Sequence, residues 1–469
     1  MLTSTTKVVA SCPSRVNRLI RRCSAGHGAS GCLLFLVLGF VLLWAHQAVA
    51  SSDGVQKPRD YGYFDFPTCV SYALVHSDSF VRNRLDIQIR SADVKDAHAE
   101  LFPTIQLLTR YYFNRAGQNT TDDPNWAPPK NRFNVQVFMQ NWNPFLALIK
   151  IQSGGVLVDI AKISHLDRIS EDVANMAKLF HRVQTLEKSI QASKQLVALH
   201  RNKVSYGKNK DEQGTVDPIG LQVWMTTLRA QELKVKDLER ELQEKTGSLK
   251  ILMSYNPDMG LPLDTRDAAN QILTGFNGRF VTFADIQGGN LRLKIMAKRE
   301  QVQSQRVLGS YVALLPRPVL VFEQIQNEVD RSSGMNFAMG LDYTIWDGFA
   351  RVRDIKRQKM VARQLNIDRR QFSERLYVTF RQLKGALDVS GEREALVREQ
   401  AKLSELSEER AFLQYKSGTI GYDYYMDRRI DTVQAQLNAL AVVQERVAAL
   451  IDLATMAGGL TKYNASIRY

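Results

Sequence analysis

The sequence predicts a mainly α-helical protein with a small β part, built as two internal structural repeats. Each repeat is expected to hold a helix, two β-strands and a long helical hairpin. Three observations predict this. Stretches of about sixty residues, starting near Leu146 and Ala350, run almost without proline and carry apolar residues at helical spacing. Short segments of apolar–polar alternation precede each of them. Landmarks also recur in order: Trp142 and Trp346 are 204 residues apart, and so are Gly214 and Gly418.

Residues 1–50 read as a signal peptide. Arg15 to Arg22 form a positive stretch, Cys32 to Ala45 an apolar run, and Ala48-Val49-Ala50 offers small residues before a cut at Ser51. The apolar run is short for a helical membrane span, which needs about 20 residues, and an N-terminal anchor is the alternative. Cys12, Cys23 and Cys32 leave with this segment. Cys69 then stands alone, and the exported chain can close no internal disulfide.

The first repeat is placed at residues 51–272. It opens with a helix from about Phe66 that runs into Leu101-Phe102-Pro103. Proline stops a helix and drives the residue before it into an extended conformation. Strands are expected at about 104–114 and 132–141. In the first, Ile105, Leu107, Tyr111 and Phe113 share one parity, against Thr104, Gln106 and Arg110. In the second, Phe133, Val135, Val137 and Met139 oppose Asn134, Gln136 and Gln140. The polar residues at 116–131 read as a hairpin loop. Trp142 ends the strand pair, a position that suits a membrane–water boundary or, alternatively, an ordinary core. A helical hairpin at about 146–255 follows. Its second arm repeats Leu221, Leu228, Val235, Leu242 and Leu249 every seven residues, with Trp224, Leu238 and Leu252 between them: a coiled-coil seam. The turn runs from Tyr206-Gly207 to Gly214-Thr215-Val216-Asp217-Pro218. Asp217 as N-cap and Pro218 at the first helical position restart the helix.

The second repeat, residues 273–469, follows the same order. A helix from about Phe283 ends at Leu314-Leu315-Pro316. Strands are expected at about 317–326 and 336–345, with Phe337, Met339, Leu341, Tyr343 and Ile345 on one parity and Asn336, Ala338, Gly340, Asp342 and Thr344 on the other. Trp346 ends this pair as Trp142 ends the first. The hairpin spans about 349–457 and turns at Tyr415-Lys416-Ser417-Gly418-Thr419-Ile420.

Composition sets limits. Hydrophobic content of 44% excludes wholesale disorder, and a mean hydropathy of −0.25 excludes a polytopic helical membrane protein. Without residues 1–50 the net charge of +14 falls to +9 over 419 residues. That charge reads as spread along the chain, without the dense basic stripe of a nucleic-acid binder, so no nucleic-acid partner is expected. No later segment shows 18 consecutive apolar residues. An exported chain of this kind enters a membrane only as β-strands.

Helix, strand pair and long helical hairpin, repeated twice behind a signal peptide, resemble the TolC-type outer-membrane efflux proteins, the outer-membrane factor family. The resemblance runs from about Phe66 to Gly459. It is most specific at Leu314-Leu315-Pro316, at Phe337 to Phe349 and at Tyr415 to Thr419. It implies a homotrimer, with a twelve-stranded barrel shared by three chains in outer-membrane lipid and a hollow helical barrel across the periplasm. Such a duct is the exit of a tripartite efflux or type I secretion system. It works with a periplasmic adaptor (membrane fusion) protein and an inner-membrane transporter, and its cargo is left open. Ile105, Val135, Met339 and Leu341 would then face lipid. The turn residues Gly214, Thr215, Gly418 and Thr419 would meet the adaptor, and Asp217, Tyr415, Tyr424 and Asp427 would form the periplasmic gate. The sequence departs from the family pattern at Ile420, where an arginine can stand, and at Tyr424, where an aspartate can stand. Packing by Tyr422, Tyr424 and Tyr425 would replace an arginine lock, with Asp217 or Asp427 accepting a tyrosine hydroxyl.

Chemistry is not expected. No phosphate-binding loop, H-E-x-x-H, C-x-x-C or G-x-S-x-G occurs in the chain. His76, His98, His165, His181 and His200 are scattered without ligand spacing, so neither a metal, a cofactor nor a catalytic residue is expected. The charge run Lys234 to Lys245 reads as a solvated helix face. The alternative to a duct is a periplasmic coiled-coil scaffold or adaptor without a pore.

Overall fold

The computed structural model describes residues 63–102, 104–110, 132–138, 143–211, 218–274, 276, 278, 281–327 and 332–459. The expected signal peptide, strand residues 111–114 and 139–141, Trp142 and the first turn with Gly214, Thr215 and Asp217 lie outside them. The elements are α1 (Phe66–His76), α2 (Asp78–Ala99), β1 (Thr104–Arg110), β2 (Arg132–Phe138), α3 (Pro144–Asp211), α4 (Pro218–Met253) and α5 (Ala268–Leu273). They continue with α6 (Phe283–Gly289), α7 (Leu291–Val312), β3 (Arg317–Asn327), β4 (Ser332–Asp342), α8 (Ala350–Lys416) and α9 (Tyr422–Met456).

Each helix expected to lead into a strand pair is broken in two. Ser77 and Asn290 take extended backbone, with ψ of 124° and 117°, in the middle of a pattern that reads as continuous. Asn290 then caps α7 by accepting the Leu293 N–H at 3.0 Å. Short polar side chains at these two points offer the backbone an alternative to the helix. α1 and α6 have strong starts of their own. Asp65 accepts the Thr68 N–H, and Thr282 and Asp285 form a capping box.

The expected end of the first arm also moves. The helix runs through Tyr206 and Gly207 to Asp211. Gly207 is a packing site: a Cβ there would meet Leu221 Cδ1 and Trp224 at 2.9 Å. α4 therefore closes on α3 at this glycine. The heptad seam holds, with Leu221, Val235 and Leu249 buried. α3 also contains an 18-residue window of mean hydropathy 1.4, long and apolar enough to cross a membrane by length and composition. Only 22% of that window is buried.

The four strands form one antiparallel sheet in the order β1-β2-β3-β4. β4 begins at Ser332 and stops at Asp342, earlier at both ends than its alternation suggests, and leaves Tyr343 and Ile345 beyond it. Near the strands the helices pack in the order α2–α3–α7–α8, and near the hairpin turns in the order α4–α3–α9–α8. α3 is the spine, 68 residues long, or about 100 Å at 1.5 Å per residue.

Charge complements which helix meets which stretch of this spine. The strand half of α3 presents acids to α7: Asp159 to Lys298 at 3.0 Å and Asp167 to Arg292 at 3.1 Å. The turn half presents bases to α4 and α9: Arg182 to Glu241 at 2.7 Å, Arg201 to Glu232 at 2.9 Å, and Lys203 to Asp427. Sliding either partner by half a helix would oppose like charges. At mid-height the short helices wrap this frame. Phe66 packs on Phe180 with ring centroids 5.8 Å apart, and Ile286, Leu376, Phe380 and Leu453 make a second apolar cluster.

Candidate functional site

Two regions carry the residues singled out in the sequence. One is the strand wall. The pairing Gln106↔Gln136↔Glu323↔Asn336 aligns four polar residues across all four strands. The neighbouring parity aligns Ile105↔Val137↔Phe322↔Phe337, and one step along Leu107 pairs with Val135. The backbone register thus sets a polar row beside an apolar row, although Phe138↔Val321↔Ala338 falls on the polar parity and Gln324↔Met335 and Gln326↔Ser333 on the apolar one. Met339 and Leu341 are exposed and belong to the apolar parity, opposite Leu320 and Pro318. Trp346 is exposed just past β4, with its ring 4.9 Å from that of Phe349. Among the described residues, β1 and β4 each pair along one side only.

The other region is the hairpin end. α8 stops in a Schellman motif. The Thr419 N–H donates to Gln414 O at 2.9 Å, the Gly418 N–H donates to Tyr415 O at 3.0 Å, and Gly418 has φ of +76°. This places Tyr415 one turn above a fixed corner. Its ring stacks on Tyr425 at 5.5 Å and 5°, and meets Tyr422 at 5.7 Å. Tyr422 in turn reaches Tyr206 on α3 at 4.7 Å. Tyr424 takes a different direction: its hydroxyl accepts from Arg428 at 3.1 Å, and that guanidinium lies 4.9 Å over its ring.

Asp427 accepts a hydrogen bond from Lys203 Nζ. The Lys203 side chain is only 10% exposed, against 53% for Asp427, and its ammonium lies 4.7 Å over the Trp224 ring. One lysine therefore ties α3, α4 and α9 together. Sequence reading missed Lys203, because its partner is 224 residues away. Above this point α3, α9 and α8 border an open groove of about 700 Å³, lined by Lys188, Gln195, Arg398, Lys402 and Glu405 among others.

Cys69, His165 and His181 are buried packing residues. Burial pushes the Cys69 thiol up to about 12, which leaves it an inert apolar group. Burial, helped by Lys188, lowers His181 to about 4, and burial with Arg84 lowers His165. Among the described residues no three His, Cys, Asp or Glu side chains gather as a metal site.

Solved structures of outer-membrane channels share this arrangement. The Campylobacter jejuni CmeC outer-membrane channel superposes with a TM-score of 0.66 at 13% identity, covering 84% of this chain and 85% of that one. The Neisseria gonorrhoeae MtrE channel, in its open state, gives 0.66 at 12% identity, covering 84% and 88%. CusC, studied for transmembrane channel formation, gives 0.69 at 11% identity, covering 86% and 95%. The fold is that of these outer-membrane channels. The family resemblance read from the sequence holds at the level of fold. No protein-family model and no curated protein matches the sequence.

Proposed function

We propose that this chain is the outer-membrane exit duct of a tripartite efflux or type I secretion system. Three copies would each give four strands to one barrel and would line a passive path across outer membrane and periplasm. The two-faced sheet carries this reading. A sheet with an apolar face, a polar face and two edges that need partners is an arc of a barrel wall, because lipid tolerates no open edge. Three arcs would close twelve strands, with Gln106, Gln136, Glu323 and Asn336 on the water side. A helical layer about 100 Å deep supplies the periplasmic reach. The hairpin ends, with the groove above them, would receive an adaptor protein, and an inner-membrane transporter would supply the driving force. Tyr415, Tyr424 and Asp427 would stand at the periplasmic gate, with Asp217 expected beside them.

The test is to fractionate cells making the full chain and to reconstitute the detergent-purified protein in planar bilayers. A heat-modifiable trimer in the outer-membrane fraction, with stepwise conductance, is expected. A water-extractable protein with no conductance would instead mean a periplasmic scaffold.

A further inference from the structure

The polar parity of β1 and β2 ends in two arginines. Arg110 and Arg132 are register partners at the end of the strand pair away from the helices. Both share the parity of Gln106 and Gln136, four residues back along their strands. The β2–β3 register sets Gln136 beside Glu323, so Arg132 comes level with Asn327, whose own partner is Ser332. One row across the sheet therefore reads Arg110, Arg132, Asn327, Ser332. Every member is a hydrogen-bond donor by residue type, and arginine is always charged.

No acid balances this row within the sheet. Among the described strand residues the acids are Glu323 and Asp342. Glu323 stands four residues from the row, about 13 Å at 3.3 Å per residue. Asp342 is the register partner of Arg317, at the opposite end of the sheet. The connecting residues 111–131 hold Arg115 and Lys130 against Asp122 and Asp123, and residues 328–331 hold Arg331 against Glu328 and Asp330. Counted with both connections, this end still carries one net positive charge per chain. Register partners on antiparallel strands stand about 4.5–5.5 Å apart at Cβ, and like charges so placed repel. An anion between two arginines replaces that repulsion with charge-assisted hydrogen bonds.

Depth decides what the row can meet. From Thr104 to Arg110, β1 climbs about 20 Å away from the helical layer at 3.3 Å per residue. That is most of the height of a membrane barrel's apolar band, about 25 Å. On the polar parity, the row therefore falls near the outer mouth and on the water side of the wall. Three copies would bring six arginines, two from each, to one level. A ring of fixed charge at one level of a pore selects the ions that pass it.

We propose that Arg110 and Arg132 form an anion-binding ring at the outer mouth of the barrel, and that the duct's cargo carries carboxylate or phosphate groups. Arginine matches both groups through paired N–H donors. The Glu323 row lies on the helix side of the ring, with one acid per copy against two arginines. An outgoing anion passes the acid first and is then drawn on by the larger positive charge. The ring names a cargo chemistry for the exit duct read above, and it rests on that reading.

The test uses the full chain in phosphatidylcholine planar bilayers. Tripolyphosphate added on the side of the strand loops should block the parent current, and Arg110→Gln with Arg132→Gln should need at least about tenfold more for the same block. The chloride-to-potassium permeability ratio should fall at least about threefold in that variant. Where the glutamine variant gives no trimers, thiol labelling decides. Cys69 is buried with its thiol pushed up to about 12, so it gives little background. A charged, lipid-insoluble methanethiosulfonate should modify Arg132→Cys and spare Phe133→Cys, its neighbour on the other parity. Equal block and equal permeability in parent and glutamine variant, or labelling of Phe133→Cys without Arg132→Cys, would overturn the ring. So would a difference that appears only with lipopolysaccharide in the bilayer, which would set the arginines on lipid phosphates. A parent chain without conductance would instead overturn the duct reading itself.

Discussion

α3 and α8 are 68 and 67 residues long and each follows a strand pair, yet one is a spine and the other an edge. α3 packs on α2, α4, α7 and α9 and buries Ile169, Met176, Phe180, Leu186 and Leu196 almost completely. It even buries polar residues, among them Asp172, His181 and Lys203. α8 packs on α7 and α9, touches α6, and buries Ile355, Leu376, Phe380, Glu394 and Ala411. Its remaining apolar line, with Met360, Ile367, Leu396 and Leu403, stays exposed. Equal lengths with unequal burial mean that α3 has neighbours on both sides within the chain, whereas α8 leaves one apolar line exposed.

The sharpest way to break this contrast is to truncate one side chain on each helix. Phe180→Ala on α3 should cost about 3–5 kcal/mol of unfolding free energy, as for other fully buried phenylalanines. Leu403→Ala on α8 should change the monomer by less than about 0.5 kcal/mol and weaken only the assembled form. Denaturant unfolding of monomer and assembly would measure both. Equal losses in the monomer would show that α8 is buried after all.

The strands can be probed in the same way. β4 is centred on Phe337, with Leu341 next to its end, so depth in the membrane separates two residues of one parity. Phe337→Arg should cost about 2–4 kcal/mol and block outer-membrane assembly, while Leu341→Arg, near the boundary, should cost about 0–1. Asn336→Arg, on the polar parity, should assemble. Equal tolerance of Phe337→Arg and Asn336→Arg would remove the barrel wall.

Burial along α3 also predicts a pH response. The folded pKa of His181 is about 4, below the ordinary 6.5. Below pH 6.5 the unfolded chain takes up a proton that the folded chain refuses. Stability therefore falls as pH drops from 6.5 toward 4, by up to about 3 kcal/mol. His181→Gln should flatten that part of the stability–pH curve. An unchanged slope would place the sensitivity elsewhere.

Much of this architecture was legible. Pro103 and Pro316 mark helix ends, strand parity gives the faces, and the seven-residue run from Leu221 to Leu249 gives the α3–α4 seam. Three features were not. Ser77 breaks its helix without a glycine or proline beside it, and Asn290 follows Gly288-Gly289, a pair that the continuous helical pattern absorbs. Gly207 looks like a turn residue, and only the approach of Trp224 shows it to be a contact. The Arg110–Arg132 pair disappears in a whole-chain charge average and emerges only when the register sets the two residues side by side. The two glycines make the point testable. Gly418 has φ of +76° and open space where a Cβ would stand, so Gly418→Val strains only the backbone, by about 1–2 kcal/mol. Trimers should still insert but support less export. Normal export from that variant would leave the turn without an adaptor role.

The last comparison is at the proposed gate, where the Lys203–Asp427 ion pair links the two hairpins. Lys203 neutralises Asp427 across α3 and α9 while resting on Trp224. Half the pair is exposed, so the link contributes about 1 kcal/mol, and losing it shifts an open–closed equilibrium about fivefold. Asp427→Ala should raise the open fraction in planar bilayers. Lys203→Met should do the same and also uncover the carboxylate. A threefold arrangement would then hold three uncompensated Asp427 side chains, and magnesium block should strengthen over the parent. Asp427→Ala should show no such block. Tyr415→Phe keeps the ring that stacks on Tyr425 and should leave conductance nearly unchanged, whereas Tyr415→Ala removes the stack and should open the channel further. If Lys203→Met and Asp427→Ala respond to magnesium alike, Asp427 does not face the water path, and the pair is a structural tie between hairpins.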